Sequence, residues 1–222
     1  MSVYTPVSRV QLEQYLQRYN VGQLNDFQGI EAGVENTNYF VNTTAGQFVL
    51  TLVESVDHEQ LPEILNYIEH LAQHGIACAK PIHLNDGSLA GQLNQRPAVL
   101  MSRLAGSPLQ TPNDQQASII GLTLARMHQL ADQLSHKPPV NVQQWCADLG
   151  ARLSPRLSKE DQQTLQHNLT EAGQICWEKL PSGPIHADLF PDNALFDGDK
   201  LCGLIDFYHS CSAAYLYDLC IT

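Results

Sequence analysis

The sequence predicts an α+β protein, with an antiparallel sheet in its first half and mainly helices in its second half. Two apolar runs within Gly29–Val53 flank the turn Thr44-Ala45-Gly46, which is the pattern of a β-hairpin. Apolar residues recur at three- and four-residue steps within 57–75 and again within 113–134, which predicts two amphipathic helices. A second hairpin pattern follows much later, over Ala194–Ile205.

The remaining segments add shorter elements. In chain order, we expect a helix over Ser8–Arg18 capped by Ser8, a loop over Asn20–Phe27, a strand over Pro97–Ser102, helices over Val142–Leu149 and Lys159–Leu180, and a further helix or apolar segment over Ala213–Thr222. His128 falls on an apolar helix, so we expect it to be a packed core residue rather than a catalytic residue.

Composition limits the classes of function. The 222 residues are 43% hydrophobic and 16% charged, which suits a globular chain with one domain or two small lobes. A net charge of −11 argues against a nucleic-acid partner, because phosphate binding needs clustered Lys and Arg. No apolar run is long enough to span a bilayer, and the N-terminus lacks a signal-peptide pattern. The six cysteines have no metal-like spacing, so we expect reduced thiols in a cytoplasmic protein without membrane partners.

The segment Pro184–Tyr208 carries the strongest chemical signal. His-x-Asp followed by Asn five residues later is the spacing of the kinase catalytic loop, and His186, Asp188 and Asn193 match it. Kinases place a second metal-binding Asp on a following strand, where this chain has Asp206. The alternative is a β-hairpin with polar loop ends, but four residues agree with the kinase pattern in type, order and spacing.

These residue types suit phosphoryl transfer, in which the protein mainly positions groups and neutralises charge. A carboxylate orients the attacking hydroxyl and takes its proton, which predicts Asp188 as the catalytic base. Mg²⁺ prefers hard oxygen ligands, which predicts Asn193 and Asp206 as metal ligands. We therefore expect ATP and Mg²⁺ as cofactors.

Two further segments fit a nucleotide site. A glycine-containing loop that includes Gly29 and Gly33 precedes the first hairpin, where backbone N–H groups can turn toward phosphates; the alternative is an ordinary loop. The strand Pro97–Ser102 would run into the hinge that binds adenine, so Met101 to Arg103 are hinge candidates, with a plain inner strand as the alternative. This organisation predicts a nucleotide-binding lobe over residues 1–103 and a helical lobe with the catalytic loop over 104–222.

One part expected of a protein kinase is absent. Protein kinases place a Lys in the strand after the phosphate loop, paired with a Glu on the next helix. Here Thr51 takes that position, and the first 79 residues contain no Lys. The α- and β-phosphates would then be held by backbone groups, by another cation or by metal alone.

Four strings resemble homoserine kinases of the aminoglycoside-phosphotransferase-like type: Gly33–Phe40, Ile185–Asn193, Gly203–Tyr208 and Tyr217–Leu219. That family has a two-lobed protein-kinase-like fold and includes choline and methylthioribose kinases. The resemblance implies ATP-dependent phosphorylation of the hydroxyl of L-homoserine in threonine biosynthesis. The alternatives are a related kinase acting on choline, a sugar or an aminoglycoside, and an inactive nucleotide-binding fragment.

The resemblance also implies residue roles. The segment that would cover the phosphates consists of Gly33, Val34, Glu35, Asn36 and Thr37. Asp218 would be a buried structural residue that hydrogen-bonds the catalytic loop, and His186 would orient that loop rather than do chemistry. The Thr at position 51, where protein kinases have Lys, also resembles this branch of the family.

The chain departs from related kinases in two ways. Tyr208 follows Asp206-Phe207 where protein kinases have Gly, so we expect no activation switch of the protein-kinase type. Members of the family continue beyond the position matching Thr222, so we expect an incomplete helical lobe with an exposed apolar end over Tyr215–Ile221. An Arg would suit the carboxylate of homoserine, and the candidates are Arg103, Arg126, Arg152 and Arg156.

Overall fold

The computed structural model describes residues 3–31, 35–54, 56, 60–131, 134 and 142–222. The chain divides into two compact units, the first formed by Met1–Arg126 with Pro191–Tyr208 and the second by Met127–Phe190 with His209–Thr222. The predicted boundary between a nucleotide lobe and a helical lobe after Arg103 stays a prediction. Within the described ranges, no helix has both the length and the apolar character needed to cross a membrane.

The first unit contains a five-stranded antiparallel sheet in the order β1-β2-β3-β5-β4. Its strands are β1 (Leu24–Gly29), β2 (Thr37–Thr43), β3 (Gly46–Leu52), β4 (Gly91–Leu93) and β5 (Arg96–Ser102). The predicted hairpin is confirmed, with Thr43 paired to Gly46 across its turn. The loop predicted over Asn20–Phe27 is wrong in its second half, where β1 forms. This strand is polar and lies at the sheet edge, so the sequence shows little of the apolar alternation that marks an inner strand.

One face of this sheet packs against helix α1 (Arg9–Leu16). Along β2 every second side chain is buried, as expected for a strand with one face on a core. The Tyr15 hydroxyl of α1 donates to the Ala98 carbonyl oxygen at 2.6 Å, so the helix is fixed to β5 by a polar contact as well. The predicted Ser8 cap is confirmed as a reciprocal capping box with Gln11.

The other elements of the first unit are helix α2 (Leu61–Gln73), strand β6 (Ser107–Pro108), most of helix α3 (Asp114–Ala131), and strands β8 (Ala194–Asp197) and β9 (Lys200–Leu204). The predicted start of α2, at 57–59, lies outside the described residues. Strands β6, β8 and β9 form a second antiparallel sheet in that order. The β8–β9 hairpin confirms the second predicted hairpin and brings its two flanking residues, Asn193 and Ile205, side by side.

The second unit consists of the end of α3, helices α4 (Val142–Leu153), α5 (Lys159–Ala172) and α6 (Tyr215–Ile221), and strands β7 (Ser182–Ile185) and β10 (Cys211–Ala214). The helix predicted to run to Leu180 is too long, because α5 ends at Ala172 and Gly173 follows as its cap. Strands β7 and β10 pair antiparallel, with Ile185 opposite Cys211. Helix α6 exposes Leu216 and Leu219.

The six cysteines all lie in the described part of the chain and are free thiols of unequal accessibility. Burial raises the pKa of the Cys78 thiol to about 12 and that of Cys211 to about 11. Cys176 and Cys220 are exposed. Since the thiolate is the reactive form, we expect Ellman's reagent to titrate Cys176 and Cys220 first and Cys78 only after unfolding in guanidinium chloride. Rapid labelling of Cys78 in the native protein, identified by peptide mass spectrometry, would contradict this order.

Candidate active site

The segment predicted as the catalytic loop directly follows β7 in the second unit. It contains His186, which is fully buried, and Asp188, which is partly exposed. Between them Ala187 has a φ of 63°, in the left-handed region that non-glycine residues rarely adopt. A strained residue of this kind persists only where its surroundings hold it in place.

Asp218 supplies that restraint from the first turn of α6. Its side chain is fully buried. One carboxylate oxygen, Oδ1, accepts from the Ala187 backbone N–H at 2.8 Å, and the other, Oδ2, accepts from the His186 backbone N–H at 3.2 Å. Charge-assisted hydrogen bonds of this type are stronger than neutral ones. The conformation of the loop before Asp188 is therefore tied to α6.

The His186 ring acts within the same loop. Its Nδ1 lies 3.3 Å from the Asp188 backbone N–H, which donates to it. The hydroxyl of Ser210, next to β10, lies 3.5 Å from the His186 carbonyl oxygen. The buried His186 ring is thus bonded to the backbone of the loop that carries Asp188.

His128 joins the same network from α3, a link that sequence reasoning missed. It is buried, as expected for a core position, but its Nε2 lies 2.8 Å from Asp218 Oδ2. The Tyr215 ring stacks on the His128 ring with centroids 4.3 Å apart, and the Tyr215 hydroxyl donates to the His128 carbonyl oxygen at 3.2 Å. Ninety residues separate His128 from Asp218, so no local spacing signals the pair. The sequence offers one signal for this contact, which is a His on an apolar helix. A buried polar group is almost always hydrogen-bonded, so a His at such a position requires a polar partner.

Asn193 and Asp206, the predicted metal ligands, lie in the first unit at the same end of the β8–β9 hairpin. Asn193 precedes β8 and is buried, whereas Asp206 follows β9 and is exposed. The backbone N–H of Ile205 donates to the Asn193 carbonyl oxygen at 3.0 Å, which closes the hairpin beside both residues. Asp206 has a φ of 63°, a left-handed conformation that Asp tolerates better than most residues.

An amide and a carboxylate at one hairpin end match the hard-oxygen preference of Mg²⁺. In the parts of the chain that the structure describes, no group of three or more His, Cys, Asp and Glu residues could hold a metal ion.

A neutral polar group occupies the position predicted to correspond to the Lys of protein kinases. Thr51 is buried on β3 and its hydroxyl donates to Asn38 Oδ1 at 2.7 Å. Tyr208 lies near both Thr51 and Asp206, and its pKa is raised by burial, with the Asp206 charge adding to the rise and the Thr51 hydroxyl opposing it. The Tyr208 phenol is therefore protonated and neutral at physiological pH, beside a predicted metal ligand.

Of the predicted phosphate-covering residues, Gly33 and Val34 lie outside the described residues. Glu35 is exposed, while Asn36 and Thr37 are buried at the start of β2. Their side chains bond to the protein: the Thr37 hydroxyl donates to Glu54 Oε1 at 2.8 Å, and Asn36 Oδ1 accepts from the Glu54 backbone N–H at 3.1 Å. Glu54 therefore holds both the Thr37 hydroxyl and the Asn36 amide oxygen.

The hinge candidates lie at the end of β5. Met101 is largely buried. The Arg103 backbone N–H donates to the Gln47 carbonyl oxygen at 3.3 Å, and the Arg103 guanidinium lies over the Phe40 ring, 4.1 Å from its centroid. Because its guanidinium makes this cation–π contact, Arg103 is a weaker candidate for binding the carboxylate of an acceptor substrate.

Comparison with known proteins shows the family of the chain. Residues 26–222 match the phosphotransferase enzyme family. The chain is 45% identical to a homoserine kinase of Methylobacillus flagellatus over all of its own length and 70% of that protein. It is 40% identical to a homoserine kinase of Neisseria meningitidis serogroup B, again over its whole length and 73% of that protein.

Solved structures show the same fold at lower identity. An amicoumacin kinase in complex with AMP-PNP, Ca²⁺ and Ami superposes with a TM-score of 0.78 at 18% identity, covering 97% of this chain and 68% of that one. A spectinomycin phosphotransferase gives a TM-score of 0.70 at 16% identity, covering 97% and 73%. The α+β kinase-like fold is thus confirmed. The chain belongs to the phosphotransferase enzyme family and, within it, to the homoserine kinase branch.

Proposed function

We propose that this chain transfers the γ-phosphoryl group of ATP to the side-chain hydroxyl of L-homoserine, giving O-phospho-L-homoserine and ADP, a step of threonine biosynthesis. The observation that carries the proposal is the 45% and 40% identity, over the whole chain, to proteins named as homoserine kinases. The kinase motif supports it, because Asp188 lies on a loop whose backbone is held by a buried carboxylate.

In this proposal Asp188 is the catalytic base. Its carboxylate accepts a hydrogen bond from the homoserine hydroxyl and takes the proton as that oxygen bonds to the γ-phosphorus. The bond from the γ-phosphorus to the β,γ-bridging oxygen breaks and ADP leaves. Restraint of the loop by Asp218 and His186 serves this step, since a positioned base avoids the entropy cost of ordering it during reaction.

Asn193 and Asp206 would hold Mg²⁺. A bound Mg²⁺ supplies charge neutralisation at the phosphate oxygens. The hairpin closure between Ile205 and Asn193 keeps the two ligand residues together.

The nucleotide would be held largely by backbone groups. Glu35, Asn36 and Thr37, with Gly33 and Val34, would cover the phosphates, and Met101 and Arg103 would border the adenine. This assignment suits the absence of Lys before position 80, because backbone N–H groups can bind phosphate without a side-chain cation.

The decisive experiment is ADP release by the purified chain with Mg-ATP, with and without L-homoserine, with the product identified by ³¹P NMR. We expect release that depends on homoserine and stops when EDTA is added. Choline, a sugar and an aminoglycoside serve as alternative acceptors in the same assay. Turnover with one of these and none with homoserine would replace the proposed substrate, and no turnover with any acceptor would overturn the proposed activity.

A further inference from the structure

We propose that His70 and His74 form a binding site for a divalent transition-metal ion of the Cu²⁺, Ni²⁺ or Zn²⁺ class, at the C-terminal end of helix α2. Both residues lie in the first unit. The site goes beyond the proposed kinase reaction and does not depend on it. That reaction would use Mg²⁺ on oxygen ligands, whereas imidazole nitrogens suit the later transition metals.

The helix brings the two imidazole rings together. His70 lies in the last turn of α2, and His74, four positions later, is its C-cap residue. Residues four apart on a helix are neighbours on its surface. The two ring centroids are accordingly 4.2 Å apart, with the ring planes inclined at 42°. Two metal-binding groups therefore lie side by side on one turn of regular secondary structure.

The separation of the rings suits a shared ion. An imidazole nitrogen binds Zn²⁺ at about 2.0–2.1 Å, so two nitrogens on one ion lie about 3 Å apart. With centroids at 4.2 Å, small side-chain rotations bring one nitrogen of each ring to that spacing. Coordination would replace any hydrogen bond that the binding nitrogen of His70 makes in the metal-free protein.

A hydrogen bond prepares the His74 ring as a ligand. Its Nδ1 lies 2.8 Å from the His70 carbonyl oxygen. A carbonyl oxygen can only accept a hydrogen bond, so Nδ1 carries the proton and the neutral ring has its lone pair on Nε2. Histidines that bind metals usually donate their other ring N–H in this way, often to a backbone carbonyl, which fixes the tautomer and orients the ring.

The surroundings of the pair favour a cation. His74 is exposed and His70 is half-buried, so an ion can reach the pair from solvent. The last carbonyl groups of a helix carry partial negative charge, which attracts cations to this end. The net charge of −11 acts in the same direction. Water would fill the coordination positions that the two imidazoles leave open.

Metal binding should also stabilise the end of α2. The two rings hold one ion best while the chain between them is helical, so the ion binds the folded protein in preference to the unfolded chain. A ligand of this kind raises the melting temperature as its concentration rises. We expect this increase with Ni²⁺ in the wild-type chain and a smaller one after either histidine is replaced.

The test is calorimetric titration of Ni²⁺ into the untagged chain, with exposed thiols alkylated beforehand and Mg²⁺ present in excess. Alkylation removes the exposed cysteines as competing ligands, and Mg²⁺ occupies sites made of oxygen ligands. His70→Ala and His74→Ala should each raise the Kd for Ni²⁺ at least about tenfold, because changing even an outer-shell partner of a metal ligand typically costs about 10–100-fold.

The matched control is His167→Ala, which removes an exposed histidine from helix α5. No second histidine lies three or four positions from His167 in the sequence, so it has no neighbour with which to share an ion and its loss should leave the Kd unchanged. An atomic readout comes from long-range ¹H–¹⁵N NMR of the histidine rings. Zn²⁺ should shift the His74 Nε2 resonance while Nδ1 stays protonated.

The inference is overturned if the wild-type chain binds no Ni²⁺ under these conditions, or if His70→Ala and His74→Ala keep the wild-type Kd. A His74 Nε2 resonance that does not move with Zn²⁺ would overturn it as well. Melting temperatures measured without metal show that the variants are folded. Because the titration contains neither ATP nor an acceptor, a chain that fails to phosphorylate homoserine would refute the proposed function and leave this test unaffected.

Discussion

Asp188→Asn is expected to lower kcat for homoserine phosphorylation by about a thousandfold, within the range that a general base typically contributes. The amide matches the carboxylate in size and can still accept a hydrogen bond from the acceptor hydroxyl, but it cannot take the proton. The loop itself should stay in place, because its contacts to Asp218 use the backbone N–H groups of His186 and Ala187 and not the Asp188 side chain.

The measurement is steady-state turnover together with the Kd of a fluorescent ATP analogue and the melting temperature. We expect the Kd and the melting temperature to stay near wild type while kcat falls. Asp197→Asn is the matched control, since it makes the same chemical change at the exposed last residue of β8. Wild-type turnover in Asp188→Asn would show that another group, or none, serves as base.

Elements with a strong local pattern could be predicted from the sequence. Strand β2 alternates buried and less buried residues before a short turn, and α2 repeats apolar residues at helical spacing, so neighbouring residues alone define each element. The kinase motif is also local, because Asp188 and Asn193 are five residues apart on one stretch of chain.

Features set by distant partners could not be predicted. The four-residue strands β7 and β10 pair with each other, and their sequences, Ser-Gly-Pro-Ile and Cys-Ser-Ala-Ala, lack the apolar–polar alternation that predicts a strand. Helix α5 ends at Ala172, eight residues before the end that the apolar periodicity predicts. Within the site, the contact between His128 and Asp218 spans 90 residues, and the contact between Arg96 and Glu54 joins two strand ends. Each is a polar pairing whose partner only the fold identifies.

Asp218→Ala is expected to have the largest effect on stability, about 3–5 kcal/mol, the usual cost of removing one member of a buried charge network. Three groups lose their acceptor at once: the backbone N–H groups of His186 and Ala187 and the His128 ring. Ala187 would also lose the bond that holds its left-handed conformation, so the loop should relax and turnover should fall with stability.

Graded variants separate these contributions in melting temperature and kcat. Asp218→Asn keeps the volume and one acceptor oxygen, but its amide group would face donors, so an intermediate loss is expected. His128→Ala leaves both loop hydrogen bonds intact and should therefore lose stability while keeping a larger share of kcat than either Asp218 variant. If His128→Ala instead reduced kcat as much as Asp218→Ala, the loop would depend on the His128–Asp218 pair itself, and the two backbone hydrogen bonds would not be enough to hold Asp188 in position.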